Sequence, residues 1–205
     1  MRPRHAMTLL ALLSILSAGC LSVSKQAPRK SYFVLHAERP AEETARPSKP
    51  IVVVLPFQVT PLYDDRGFVY RTGELRYESD FYNEFFVEPA EMLIRATRDW
   101  LDGSAAFRVA SPDADYGDAD LQLKGYVRAF YGDYRNPGAP AAVLEVEFLA
   151  HDGTGTVLRR SYARSIAMNS PSAETLAAAW NEALAQILRE LEGDLIEALS
   201  GTDAT

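Results

Sequence analysis

A continuous apolar run, residues 51–55, constrains the fold more than any other stretch of this chain. Its sequence is Ile-Val-Val-Val-Leu, so both of its alternating faces are apolar. That pattern is typical of a strand covered by packed structure on both faces. Pro56 follows directly and has no N–H to donate to a sheet ladder. The run therefore predicts a strand near the centre of a sheet, after which the chain turns outward.

The next segment predicts a turn and a hairpin. Residues 61–67 combine proline, adjacent aspartates and glycine, which are typical of a turn. Residues 68–71 and 74–77 then predict two short strands around Thr72-Gly73. An aromatic run, residues 81–86, follows the hairpin.

A first helix is predicted between Glu88 and Gly103. Proline and acidic residues suit a first helical turn, and glycine suits a helix end. The apolar positions recur at helical spacing on one side. They are Met92, Leu93, Ala96, Trp100 and Leu101.

This succession of elements resembles a known family. The resemblance rests on five features in order: the strand at 51–55, the Leu-Tyr-Asp-Asp-Arg turn at 62–66, Phe-Val-Tyr-Arg at 68–71, Leu-Arg-Tyr at 75–77 and a helix ending in Arg-Asp-Trp-Leu at 98–101. Together they resemble the ABC-type transport auxiliary lipoproteins, which are partners of MCE-domain lipid transport systems such as the paraquat-inducible one. An Arg-Trp pair that this family places before the helix is absent here, and Tyr77 and the aromatic run occupy that region.

The resemblance implies a docking surface on the turn. Its candidate partner-binding residues are Tyr63, Asp64, Asp65, Arg66 and Arg71. The adjacent carboxylates favour turn formation over acid–base chemistry, with Arg66 or Arg71 as their charge partner. The partners implied are an MCE-domain protein and an ABC permease and ATPase complex, and a homo-oligomer stays open.

The aromatic segment has two interpretations. Tyr77, Phe81, Tyr82, Phe85 and Phe86 supply more apolar area than a loop needs. They could line an apolar groove of lipid size or contact a partner. Alternatively, Phe81, Phe85 and Phe86 fill the core beneath the helix and Tyr82 is exposed. The second interpretation is favoured.

The N-terminus has the layout of a lipoprotein signal. Basic residues precede a short apolar run at 7–16, and small residues precede Cys20, the only cysteine in the chain. The run is shorter than the roughly 20 apolar residues that span a bilayer. Cleavage after residue 19 and acylation of Cys20 would anchor the protein in a membrane. Leu21, rather than Asp, favours the outer membrane, with the protein facing the periplasm.

Composition excludes several classes of function. Removal of the signal takes the formal net charge from −7 to −9, which argues against a nucleic-acid partner. His36 and His151 remain, and each is typical of a surface histidine. No P-loop, dinucleotide fingerprint or hydrolase motif occurs. The sequence predicts no enzyme, metal or cofactor, and a hydrolase would require His151 to cluster with Asp or Ser residues.

The remaining chain predicts further strands and a second helix. Strands are expected at 32–35 and 107–109, followed by a meander of three strands at 121–129, 144–148 and 157–166. Apolar and polar residues alternate along the first two strands of the meander.

Gly125, inside the first strand of the meander, indicates a bulge or the close approach of a helix.

The last helix is predicted to start after Ser170-Pro171-Ser172, with either serine as its N-cap. Its apolar stripe is expected to pack on the sheet and consists of Leu176, Trp180, Ala183, Leu184, Ile187, Leu188, Leu191, Leu195 and Leu199.

These elements predict an α+β fold: a single mixed, mostly antiparallel sheet with two helices packed on one face. The expected organisation is a signal peptide at 1–19, an acylated Cys and flexible tether at 20–31, one domain at 32–200 and a disordered tail at 201–205. The expected function is that of a membrane-anchored, non-enzymatic auxiliary component of an ABC/MCE-type envelope transport system for lipids or other hydrophobic compounds. The alternative is a structural or assembly lipoprotein of an outer-membrane complex without a transported ligand.

Overall fold

The computed structural model describes residues 29–39, 49–110 and 119–202. The predicted signal peptide, Cys20, the tether up to residue 28 and the tail from residue 203 lie outside the described residues.

Nine strands and two helices make up the described part of the chain. The strands are β1 (Ser31–Phe33), β2 (Ile51–Val54), β3 (Gln58–Val59), β4 (Gly67–Arg71), β5 (Tyr77–Phe85), β6 (Arg108–Val109), β7 (Leu121–Asp133), β8 (Ala141–His151) and β9 (Thr156–Ala167). The helices are α1 (Pro89–Asp102) and α2 (Ala173–Thr202), and a short 3-10 turn spans Pro61–Tyr63.

Strand β7 is the centre of the sheet. Its successive parts pair in parallel with β2, β3 and β4, and its other side pairs along its length with β8. The apolar run of β2 lies between β7 and the two-residue strand β6. The outer strands are β1, beyond β5 and β4, β6, beyond β2, and β9, beyond β8.

The predicted fold class is confirmed. The parallel pairs are short, whereas the antiparallel pairs β4–β5, β7–β8 and β8–β9 join the longer strands. The sheet is therefore mixed, and most of its paired length is antiparallel.

Both helices cover one face of the sheet. Helix α1 begins with Pro89 after Glu88, ends before Gly103 and buries every apolar residue predicted for its inner side. Trp180 of α2 is fully buried and its ring lies 4.6 to 5.5 Å from the rings of Phe68, Phe85 and Phe130. The expectation that the stripe of α2 packs on the sheet is confirmed.

Ser172 is the N-cap of α2. Its hydroxyl accepts a hydrogen bond from the backbone N–H of Thr175 at 3.2 Å. The Ser170 hydroxyl forms its hydrogen bond with the hydroxyl of Thr175, at 2.9 Å, and not with a backbone N–H group of the described residues. The choice that the sequence left open is therefore decided in favour of Ser172.

Strand β5 differs from the predicted hairpin. It begins at Tyr77 instead of residue 74 and runs through the aromatic segment to Phe85. Its outer half is held by parallel pairing with β1, a contact between residues more than 50 positions apart. The side chain of Asp80 accepts hydrogen bonds from the backbone N–H groups of Tyr82 and Asn83. This is the part of β5 in which the register of its pairing with β4 shifts.

Gly125 marks a close approach, but by a ring instead of a helix. A Cβ atom at Gly125 would lie 2.7 Å from the ring of Phe57, which is buried on the helix-covered face. The bulge between β7 and β8 falls between Val127 and Ala129 instead.

Candidate functional site

The turn implicated by sequence lies between β3 and β4. We call Tyr63, Asp64, Asp65 and Arg66 the acidic turn. Tyr63 is its anchor: it is only 6% exposed and its ring stacks on that of Tyr131 at 5.9 Å. Burial raises the pKa of the Tyr63 hydroxyl, with further contributions from Tyr77 and Tyr131. The following three side chains are exposed.

The arginines near the acidic turn pair with other acids. Arg66 Nη2 lies 3.4 Å from Glu84 Oε2, and its Nη1 donates to the carbonyl of Phe86. Neither Asp64 nor Asp65 has an ion pair within the described segments. The expectation that Arg66 or Arg71 neutralises them is wrong, because β5 brings Glu84 to Arg66. The acidic turn therefore presents two uncompensated carboxylates to solvent.

Arg71 belongs to the hairpin end. Its Nη2 donates to the carbonyl of Glu74 at 3.0 Å and lies 3.3 Å from the carboxylate of the same residue. Its guanidinium carbon lies 5.6 Å from the ring centroid of Tyr77 and 6.0 Å from that of Tyr131. A hydrogen bond with Tyr131 raises the pKa of Arg71. Within the described residues Arg71 forms its ion pair with Glu74 and not with either aspartate, and it shares the tyrosine cluster with the anchor Tyr63.

The five aromatic residues of the predicted groove are divided among three environments. Phe85 is in the core, where it stacks on Phe130 at 5.0 Å. Tyr77 is half-buried against Tyr131. Phe81, Tyr82 and Phe86 are exposed, whereas core filling would have buried both phenylalanines.

A groove lies beside Phe86, between the chain that follows β1 and helix α1. Its volume is about 570 Å³. The apolar part of its wall includes Val34, Phe86, Val87 and Met92, and Glu91 and Arg95 lie at its polar side. Of the predicted aromatic residues, only Phe86 contributes to it.

A buried carboxylate that the sequence analysis missed joins the two helices. Glu192 accepts hydrogen bonds from Arg39, from Trp100 Nε1 at 3.0 Å and from the Ser104 hydroxyl. Burial raises the pKa of Glu192, but these donors outweigh it and hold the pKa below its usual value. The signal was an acid inside the apolar stripe of α2, between Leu188 and Leu195. Within the described residues the carboxylate bonds only to side chains of the domain itself, as a structural cluster does.

His36 and His151, the two histidines in the described part of the chain, lie in separate surface environments. His36 is exposed, and its backbone N–H donates to Asn181. The His151 ring lies 3.3 Å from the hydroxyl of Thr156. Across residues 29–39, 49–110 and 119–202, no three His, Cys, Asp or Glu side chains are arranged to hold a metal ion.

Among the described helices, none is long and apolar enough to span a bilayer.

Comparison with solved structures shows that the fold has precedents. A Xanthomonas campestris protein of the DUF330 family superposes with a TM-score of 0.74 at 18% identity, covering 85% of this chain and all of the other. An uncharacterized protein superposes with a TM-score of 0.62 at 20% identity, covering 80% and 99%. A hypothetical protein from Chlamydia trachomatis has a TM-score of 0.51 at 12% identity, covering 71% and 97%. At these identities the likeness shows the fold alone.

The sequence itself matches a family model. No curated protein matches the chain. Residues 33–192 match the model of the ABC-type transport auxiliary lipoprotein component, a range that includes the acidic turn and nearly all of the fold. The chain therefore belongs to the family of ABC-type transport auxiliary lipoprotein components.

Proposed function

We propose that this protein is a non-enzymatic auxiliary component of an ABC/MCE-type envelope transport system for lipids or other hydrophobic compounds. It is held by acyl chains on Cys20 at the periplasmic side of the outer membrane. The observation that carries the proposal is the family match over residues 33–192. Membership implies association with an ABC transport system and with the cell envelope, and the MCE-domain partner is the finer part of the proposal.

The acidic turn is the proposed docking point for the transport partner. Tyr63 fixes the turn to the sheet, so Asp64 and Asp65 are held in place while their carboxylates stay exposed. Charges at the rim of an interface guide association and select among partners. The partner surface is accordingly expected to carry Lys or Arg side chains opposite the turn.

Affinity purification tests the proposal. The full-length protein, tagged at its C-terminus, is isolated from detergent-solubilised envelopes of its own organism, and co-purifying proteins are identified by mass spectrometry. Recovery of an MCE-domain protein or its permease and ATPase is the expected result. Recovery of outer-membrane assembly proteins alone would contradict the proposal and favour a structural lipoprotein.

Two paired variants test the role of the turn. Asp64→Asn with Asp65→Asn removes two charges without changing side-chain size and is expected to reduce the recovered partner about tenfold, the effect of roughly 1.4 kcal/mol. Glu182→Gln with Glu197→Gln removes two exposed charges from α2 and serves as the matched control. Equal recovery with both pairs would exclude the turn as the docking point.

The anchor is tested by the mass of the N-terminal peptide. The mature protein is expected to begin at Cys20 and to carry the added mass of acyl chains. A Cys20→Ser variant is expected to leave the membrane fraction. An unmodified N-terminal peptide from the wild-type protein would contradict acylation.

A further inference from the structure

Exposed apolar side chains are concentrated at one edge of the sheet. Of the eight large apolar side chains exposed in the described part of the chain, six lie on or directly after the paired strands β1 and β5. We call these six the edge patch: Tyr32, Val34, Phe81, Tyr82, Phe86 and Val87. The other two, Leu62 and Leu75, lie in separate turns.

Ring contacts connect members of the edge patch. The centroids of Tyr32 and Phe86 are 6.0 Å apart, and those of Phe81 and Tyr82 are 5.3 Å apart. The Nζ atom of Lys30 lies 4.2 Å from the centroid of the Phe81 ring. Lys30 also forms an ion pair with Glu84, which is in β5 like Phe81. Phe81 and Phe86 are nevertheless 67% and 62% exposed. A concentration of exposed apolar groups of this kind marks an interaction surface.

The position of the predicted lipid anchor indicates what the edge patch contacts. Cys20 lies only nine residues before Arg29, the first described residue. A stretch of that length spans at most about 30 Å. The edge patch begins three residues later, at Tyr32, so it is the first part of the folded domain that the anchored chain reaches.

We propose that the edge patch lies on the surface of the lipid bilayer that holds the acyl chains. This inference rests on the acylation of Cys20 included in the proposed function. Aromatic side chains accompanied by lysine are the composition found at membrane–water interfaces. Contact through β1 and β5 would fix the orientation of the domain, instead of leaving it free at the end of its tether.

Aromatic area, not net charge, carries the contact. Lys30 and Arg66 both pair with Glu84, so their charges are partly compensated. The carboxylates of Asp64 and Asp65 are on the turn next to β5, and they oppose attraction to anionic lipids. Membrane contact is therefore expected to depend little on the anionic lipid content.

A fluorescent reporter tests the proposal in the lipidated full-length protein. The acylated Cys20 has no free thiol, so Tyr82→Cys and Leu75→Cys each provide one labelling site for an environment-sensitive dye. The proteins are reconstituted in vesicles of phosphatidylethanolamine and phosphatidylglycerol, with and without lipids that carry a nitroxide at the headgroup level. Quenching at position 82 is expected to exceed that at position 75 by at least about threefold. Position 82 belongs to the edge patch that contacts the lipid headgroups, whereas position 75 lies outside it.

Paired substitutions separate the edge patch from general hydrophobicity. Phe81→Ser with Phe86→Ser is expected to abolish the excess quenching at position 82, whereas Leu62→Ser with Leu75→Ser, assayed with the label at position 82, is expected to preserve it. All four side chains are exposed, so the fold is retained, which circular dichroism checks.

Three results would overturn the proposal. Quenching at position 82 that does not exceed quenching at position 75 would show that the edge patch has no preferential contact with the bilayer. An emission shift at position 82 that rises with protein density and is not quenched by the lipid nitroxide would assign the patch to a second copy. A shift that appears only when a transport protein is added would assign it to that partner. Because acylation is verified by mass in the same sample, none of these results contradicts the proposed anchor or transport role.

Discussion

At the scale of single residues, Glu192 has the clearest expected effect on stability. Its carboxylate is buried and accepts hydrogen bonds from three side chains: Arg39, Trp100 near the end of α1 and Ser104 just after α1. Glu192→Gln removes the negative charge that attracts Arg39. It also places the NH2 group of the new side-chain amide against hydrogen-bond donors that previously faced a carboxylate oxygen. The free energy of unfolding is expected to fall by about 2 to 4 kcal/mol, as in other buried pairs that lose one partner. Urea denaturation at pH 7 measures this change.

The control for Glu192 lies on the same helix. Glu190 is exposed and pairs with Arg164, so Glu190→Gln is expected to change stability by less than about 1 kcal/mol. Equal effects of the two substitutions would mean that the Glu192 cluster contributes no special stability.

The same carboxylate predicts a pH dependence. The pKa of Glu192 is lower in the folded protein than its unfolded value of about 4.3. Its contribution is therefore complete above the unfolded pKa and is lost as the pH falls through the folded pKa. Between about pH 5 and pH 3, the wild-type protein is expected to lose stability faster than the Glu192→Gln variant. Parallel curves over this range, measured by denaturation at successive pH values, would contradict the assignment.

Gly125 gives a second prediction at this scale. Gly125→Ala places a methyl group 2.7 Å from the buried ring of Phe57, so the ring must move. A loss of about 1 to 3 kcal/mol is expected from this overpacking. Gly155→Ala is the control, because no atom lies within 4 Å of its added methyl group.

A double variant identifies the source of that strain. Gly125→Ala combined with Phe57→Leu is expected to be less destabilised than the sum of the two single variants, because the smaller side chain relieves the overlap. Chemical denaturation of all three proteins measures the coupling. Additive effects would show that the Phe57 ring is not the obstacle.

Sequence reasoning predicted burial at this scale better than it predicted partners. Period-two and helical patterns identified most of the inward side chains of β7, β8, α1 and α2, because burial follows local geometry. In β7 the alternation shifts at the bulge after Val127, so that Phe130 is buried and Ala129 is not. The pairing of Arg66 with Glu84 was missed, since it depends on the register between β4 and β5. The exposure of Phe81 and Phe86 was missed for the same reason: local hydrophobicity does not show which strand is at an edge.

At the scale of elements, the N-cap of α2 makes a discriminating pair. Ser172→Ala removes the acceptor of the Thr175 backbone N–H and is expected to reduce the free energy of unfolding by about 1 kcal/mol. Ser170→Ala removes only a hydroxyl–hydroxyl contact and is expected to change it by less than about 0.5 kcal/mol. Thermal and urea denaturation compare the two, and a larger loss for Ser170→Ala would contradict the assigned cap.

Element types were predictable where the pattern was long. Both helices and the three strands of the meander follow from periodicity and end signals. The extension of β5 through the aromatic segment was not predictable, because β1 supports it from a distant part of the sequence. The position of β7 as the centre, paired in parallel with three short strands, likewise depends on long-range contacts.

At the scale of the whole molecule, the family assignment and the geometry of the acidic turn both agree with the proposed docking role. The turn that carried the sequence resemblance is exposed, rigidly anchored by Tyr63 and free of compensating arginines in the described structure. The edge patch follows the predicted anchor along the chain, and Arg66 joins the turn to β5 beside it. A protein with this arrangement would present its docking turn close to the membrane surface.

Photocrosslinking in living cells tests the central claim, that this protein contacts a transport component through the acidic turn. A photoreactive amino acid is placed at Asp65 and, as the control, at Gly155 in the exposed turn between β8 and β9. The account predicts a crosslink from position 65, but not from position 155, to an MCE-domain protein or its ABC permease, identified by mass spectrometry. Crosslinks from position 65 only to proteins outside any transport system, or none at all in acylated protein, would contradict it.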